Sequence, residues 1–471
     1  MKRLLTIVAV LALLMTWAMP CTAETLALAG FSRSTYTKNG KSVSKQWYDA
    51  FGERHPDVRL TVTKSLPANS TRALMNALQK RSFKYDVFVI SSDRVDLSTL
   101  LSSGLLADMA DDPSAAAILG QMHASLVRMV TWDDQVFGMP CDVTPLAFLT
   151  WNPKAWAAAG FTEADVPTSF SSFLDFLDAW ILRCEADPVA NVCITNTFDE
   201  GQFGEGSYTL WLMEMLVRNF IRQCELQGLP IRFDTDEWRA LAVRIRVTGA
   251  GLYRVDKPFQ SELSLFEEYS LSSQLPYYVP TRLYDHDPIC IPVRVSVMCI
   301  PSASDARKSA HDFLTVYFDC MTNRQYDLFD QTEDDAEMAL VHALLFANVH
   351  DPVPSANYSA PYYWEGMIAE AQAKLDDPNT SPSKRQYYEA NLARYIGKHL
   401  VEEAYEQQFV LDEQELIRYQ ALPPYFAATR PGLLETGASA VKKVLRQYAQ
   451  GKISADELAV RLNSYVMSEQ E

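Results

Sequence analysis

The sequence predicts an α/β fold, on three observations. Short apolar runs alternate with segments of helical periodicity near the start of the chain. Several of the runs end in small or polar residues that suit ligand loops. A chain of 471 residues with 48% hydrophobic content is long enough for two lobes of ordinary domain size. Leu26–Gly30 is the first strand candidate, followed by a polar loop from Ser32 to Ser44 and a helical pattern around Trp47–Phe51. Val58–Thr63 alternates as a strand, Ser70 precedes a helix over 71–80, and Asp86–Ile90 reads as a buried strand entering Ser91-Ser92-Asp93. Strand and helix in turn imply a largely parallel sheet, with ligand loops at the carboxyl ends of its strands.

Further along, Val136–Asn152 holds two extended apolar pieces around a proline-containing middle. Pro140 and Pro145 disfavour an uninterrupted central strand, so this segment is expected to carry the chain between lobes. Helices are expected over 153–159 and after the cap signal at Pro167–Ser169. Residues 289–300 are again extended and apolar, interrupted by Pro292 and Arg294, before a helix over 306–317. The remainder reads as helical, with a further crossing at 344–353 and a capping box at Ser454/Glu457.

The first 23 residues carry Lys2-Arg3, an apolar run from Leu4 to Met19, and Cys21-Thr22-Ala23, which reads as a cleaved secretory signal with Glu24 the first mature residue. Lipid attachment at Cys21 is the competing reading; Trp17-Ala18-Met19-Pro20 before it is unlike a lipoprotein signal. The exported chain is expected in the periplasm or outside the cell. Without the leader the balance is 40 basic against 59 acidic residues, a surface that repels phosphate backbones. Nucleic acid is therefore not an expected partner. Neither a Cys-x-x-Cys pair nor His-Glu-x-x-His occurs, so no metal and no cofactor are expected. Among the seven remaining cysteines, Cys184 and Cys193 are the best local pair for a disulfide.

These residues, in this order, resemble an extracellular solute-binding protein of the sugar-importer, maltose-binding-like family. The resemblance rests on Phe51-Gly-Glu-Arg-His-Pro56 before a strand, on Tyr85–Val89 followed by Leu100–Asp108, and on Val136-Phe-Gly-Met-Pro140 through Trp151-Asn152-Pro153. It continues in Val166–Phe170 and in Ser304–Phe318. It implies a two-lobed periplasmic-binding-protein fold with discontinuous lobes, a hinge and a central ligand cleft. Lobe 1 would hold residues 24–141 plus 295–340, and lobe 2 residues 144–290 plus 345–471. The implied function is capture of a solute, a mono- or oligosaccharide, by lobe closure, and delivery to an ABC permease in the membrane by a monomeric binding protein.

A sugar presents hydroxyl edges and apolar C–H faces, so its cleft needs carboxylates or amides beside flat aromatic surfaces. Asp142 in the first crossing, Asp93 after a strand, and Ser32 and Arg33 after the first strand are the polar candidates. Trp211 and Trp364 are the aromatic platforms, and Tyr278 is expected to line the solute path. Arg294 is expected to bind an anionic ligand, pair with a cleft carboxylate or stabilise closure. Two other classes remain open. An exported glycan-active enzyme would need opposed carboxylates, for which Asp175/Asp178 and Glu267/Glu268 are the available pairs. A ligand sensor coupled to a receptor would use the same two lobes.

Overall fold

The computed structural model describes residues 24–470, except 32–36, 39–40, 43–45, 67–69, 81–82, 146–148, 190, 199–202, 269–281, 323–339, 350–352, 355–360, 403–408, 412 and 429–437. The expected signal segment and the sites Ser32, Arg33 and Tyr278 lie outside the described residues.

The chain starts one sheet and leaves it early. Strand β1 (Glu24–Ala29) pairs in parallel with β2 (Val58–Thr63), which follows helix α1 (Gln46–Arg54). After α2 (Thr71–Gln79), β3 (Val87–Ser91) joins the other side of β1, also in parallel. Gly30 ends β1 at φ +85°, with the position of a Cβ only 3.0 Å from Val89 Cβ, so no larger residue fits that turn. Asp86 secures the opposite end: its carboxylate accepts from the Ala27 amide at 2.9 Å and from Ser304 Oγ at 2.8 Å. Strand β4 (Met139–Pro145) then runs towards a second body of structure.

That second body begins with β5 (Leu149–Trp151) and α3 (Pro153–Ala158), whose start is capped by Asn152 accepting from the Lys154 and Ala155 amides. Helix α4 (Phe170–Ala186) is capped by Ser169, as the sequence predicts, and runs longer than the Ser-rich cap region alone suggests because its apolar stripe continues through Trp180 and Cys184. Strand β6 (Val192–Thr195), helices α5 (Ser207–Leu226) and α6 (Asp236–Val255), and β7 (Leu263–Glu268) complete it. The small sheet has the order β6-β7-β5, parallel then antiparallel. Gly249 lets α6 approach α5 closely, since a Cβ there would stand 2.6 Å from the Thr209 backbone nitrogen. Cys184 and Cys193 are separate free thiols: one packs on α4 and the other on β6, so the expected local disulfide is not formed.

Strand β8 (Ile291–Cys299) returns the chain to the first sheet, and α7 (Arg307–Thr322) covers that sheet. β8 is antiparallel to both β3 and β4, so the sheet is mixed, whereas strand–helix alternation alone suggests a largely parallel one. Among the described residues β4 pairs only with β8, as a strand that carries Pro140 and Pro145 should at a sheet edge. Helices α8 (Pro361–Asp376) and α9 (Pro382–Glu402) form a hairpin. Strand β9 (Phe426–Ala428) then pairs in parallel with β8, before α10 (Ala438–Ala449) and α11 (Ala455–Gln470) end the chain. The capping box at the start of α11 forms as expected: Ser454 Oγ accepts from the Glu457 amide and Glu457 Oε2 from the Ser454 amide.

Two hydrophobic cores follow. The first gathers Leu26, Phe88, Val143, Val295 and Phe313; the second gathers Trp156, Trp180, Leu216, Trp238 and Tyr448. Leu345, Phe346, Leu416, Tyr419 and Phe426 belong to the first core, which corrects the expectation that everything after residue 345 lies in the second lobe. The reason is β9: its pairing with β8 draws the neighbouring segment back to the first sheet. The expected crossing at 344–353 is likewise displaced, because the chain still contributes to the first core at Phe426 and reaches the second only in α10. Arg246 fastens that last segment, donating to the Tyr448 and Ile453 carbonyls at 3.1 and 2.8 Å with its guanidinium 3.8 Å from the Tyr448 ring centre.

Candidate functional site

The inter-core connections converge on β8. Val293 pairs with Pro145 on one side and Ala428 on the other. Pro145 and Ala428 each end a first-core strand, and the next elements, β5 and α10, belong to the second core. β8 itself begins just after Pro288, whose carbonyl accepts from Gln223 Nε2 of α5 at 2.9 Å.

Beside it, β4 and β8 carry polar residues at every second position of otherwise buried runs. Thr144 pairs with Arg294, Asp142 pairs with Ser296, and Ser296 pairs in turn with Ser91 of β3. Direct cross-strand partners share a face, as do residues two apart on one strand. Thr144, Arg294, Asp142, Ser296 and Ser91 therefore form one strip, each of them partly exposed, while Val143, Val295 and Val297 point into the core on the other side. Within the strip, Ser296 Oγ donates to Asp142 Oδ2 at 3.3 Å and Arg294 Nη2 to Thr144 Oγ1 at 3.2 Å. At the end of β3, Ser91 Oγ and Asp93 Oδ1 are buried and make no hydrogen bond. The buried Ser92 between them ties β3 to β8: its amide donates to Val295 O at 2.9 Å and its Oγ accepts from Val295 N at 3.0 Å.

Burial raises the pKa of Asp142, against the opposing pull of Arg294 and of its hydrogen bond to Ser296. An aromatic group packs on the first core near Cys141 and Asp142. Tyr317 of α7 has its phenol pushed up by burial and by the nearby Cys141 and Asp142. Its ring lies 6.1 Å from that of Trp47, and Phe31 and Phe313 pack against both. Trp47 and Tyr317 are partly exposed.

Of the sequence-predicted residues, the structure brings Asp142 and Asp93 to this region and buries Trp211 in the second core. Trp211 is only 7% exposed in the second core, edge-on to Phe173 and Tyr208, and offers no open face to a solute. Trp364, partly exposed, packs at 5.9 Å from Tyr395 in the α8/α9 hairpin. Sequence reasoning missed Ser91, Thr144 and Ser296 as site residues, and Trp47 and Tyr317 as the aromatics. The signal was present: Asp142-x-Thr144 and Arg294-x-Ser296 are polar residues at strand spacing inside apolar runs.

A second polar set is closed. Asp256, 3% exposed, accepts from the Tyr208 hydroxyl and from the Ile194 amide, with burial pushing its pKa up to about 6. Asp178 and Asp175, one of the carboxylate pairs an enzyme would need, both bind Arg244, and Thr248 donates to Asp178 at 2.6 Å. That pair cross-links α4 to α6. Among the described residues no group of three or more His, Cys, Asp or Glu side chains is placed to hold a metal ion, and no helix is long and apolar enough to cross a membrane.

Residues 46–231 match a family model described as bacterial extracellular solute-binding protein. No curated protein sequence matches the chain. Among solved structures, the galacto-N-biose/lacto-N-biose I-binding protein of an ABC transporter from Bifidobacterium longum aligns with a TM-score of 0.50 at 11% identity, covering 95% of this chain and 97% of its own. The cyclic α-maltosyl-1,6-maltose binding protein from Arthrobacter globiformis aligns with a TM-score of 0.49 at 13% identity, covering 94% and 97%. These are likenesses of fold. With two cores that are discontinuous in sequence, the chain has a two-lobed architecture like that of the Bifidobacterium longum binding protein, and its residues 46–231 are similar to the bacterial extracellular solute-binding proteins.

Proposed function

We propose that the chain is the extracytoplasmic solute-binding component of an ATP-driven importer and that it captures a carbohydrate between its lobes. The observation that carries this reading is the strip of Asp142, Thr144, Arg294 and Ser296 on strands next to the passage between the two cores, with the partly exposed Trp47 and Tyr317 on the same lobe. A carboxylate and hydroxyls suit sugar hydroxyls, and partly exposed aromatic side chains suit the apolar C–H faces. The lacto-N-biose-bound relative with the same fold supports a saccharide as the solute. Because such a solute would touch both lobes only when they approach, its binding shifts the population towards the closed form.

In this proposal the partner is an ABC permease that reads the closed state, the protein acts as a monomer, and it is released by cleavage after Ala23 rather than anchored at Cys21. Ser32, Arg33, Asp93 and Tyr278 are retained as candidate contacts, and the chain is a binding protein with no catalytic step. A thermal-shift screen of purified protein against mono- and oligosaccharides, with calorimetric titration of each hit, tests it. A saturable response at micromolar or tighter affinity without turnover is the expected result; product formation, or silence across the saccharides, overturns it.

A further inference from the structure

Several half-buried arginines of this acid-rich chain are tied down by carboxylates or carbonyls, and among the described residues Arg294 is not. Arg222 pairs with Glu225, Arg244 reaches Asp175 and Asp178, and Arg239 contacts Asp236 and Asp456. Arg246, which has no carboxylate, is instead held by two carbonyls and a ring. Arg294 makes one hydrogen bond, to the neutral Thr144 hydroxyl, and no salt bridge among the described residues. Most of its guanidinium N–H donors are uncommitted. Asp142 attracts it but is not within ion-pair distance, and takes its hydrogen bond from Ser296 instead.

A planar guanidinium fixed by one bond on a strand face, with the rest of its fork free, is built to grip a carboxylate in two places. We propose that the solute is a sugar acid and that Arg294 selects it by binding its carboxylate. This rests on the solute-binding reading of the strip. Asp142, two residues along the same face on the neighbouring strand, repels that carboxylate and accepts hydroxyl donors, so the pair orients the ligand as well as choosing it. Asp142 and Arg294 thus divide the ligand between them: hydroxyls to one, the acidic group to the other.

Calorimetric titration of the purified protein with matched pairs tests this: glucose and glucuronate, galactose and galacturonate, and neutral and acidic oligomers of each. Glucose 6-phosphate and inorganic phosphate are included to separate a carboxylate from a phosphate. The acids are expected to bind at least about tenfold more tightly than their neutral partners, with the preference shrinking as salt rises. Arg294→Gln is expected to weaken acid binding roughly 10- to 100-fold and so to erase most of the preference for acids over neutral sugars, and Arg294→Lys to restore part of that preference. An unliganded unfolding midpoint measured for each variant distinguishes lost contact from lost fold. Neutral sugars binding as tightly as acids, or phosphate esters binding more tightly than carboxylates, overturns the sugar-acid inference and leaves the solute-binding reading intact. Silence across the whole panel overturns both.

Discussion

The strip on β4 and β8 and the Asp256 cluster of the second lobe both place a carboxylate in a poorly solvated setting, yet they are finished differently. Asp256 is closed over, and its oxygens meet the Tyr208 hydroxyl and the Ile194 amide. Asp142 is partly exposed, holds a single long side-chain contact with Ser296, and is accompanied by unbonded Ser91 Oγ and Asp93 Oδ1. A satisfied buried polar group specifies packing, whereas an open and under-satisfied one leaves free energy for a ligand to supply. Degree of satisfaction, more than residue type, separates architecture from binding here.

The largest effects that sharpen this contrast fall on the closed side. Trp211→Ala is expected to cost about 3–5 kcal/mol of unfolding free energy, measured by denaturant titration, because it empties a ring from the second core. At concentrations where the variant remains folded, its solute affinity is expected to match the parent's; a large affinity loss would return Trp211 to the binding site.

Asp256→Ala comes next, at about 3 kcal/mol, since it strands the Tyr208 hydroxyl and the Ile194 amide in the core. The same carboxylate gives a pH signature. Its folded-state pKa of about 6 stands above the ordinary 3.8, so protonation favours the folded protein. The resulting stability is complete below about 3.8, and on the order of 3 kcal/mol is lost as pH rises through 6. Asp256→Asn should flatten that slope in unfolding measurements made from pH 4 to pH 8; an unchanged slope would locate the titration elsewhere.

On the open side the expected change is smaller and appears in binding. Trp47→Leu should keep most of the apolar contact with Phe31 and Phe313 while removing the indole face, weakening saccharide affinity by about 1 kcal/mol in calorimetric titration. Unaltered affinity would confine Trp47 to packing.

Much of the first sheet was legible from alternation alone: β2, β3 and the helices α1 and α2 fall where apolar period and caps put them. The proline pair in β4 correctly marked an edge strand next to a crossing. What periodicity could not reveal was strand direction, because β8 reads the same whether it runs with or against its neighbours. For the same reason β9, only three residues long, left no sequence signal that the chain re-enters the first core before its last two helices. The site was half legible. Asp142 stood out as a carboxylate in an apolar crossing, but its partnership with Ser296 and Ser91 depends on register between segments more than 150 and 50 residues away. Trp211 misled because ring size favours burial as much as stacking, and only the packing of Phe173 and Tyr208 around it decides which.

The most direct test is a parallel calorimetric titration of the Asp142→Asn and Asp256→Asn proteins with one saturating saccharide. The account predicts roughly 10- to 100-fold weaker binding for Asp142→Asn and parental affinity for Asp256→Asn. Parental affinity in the Asp142→Asn protein, or the same loss in both, would contradict the assignment of the β4/β8 strip as the solute site.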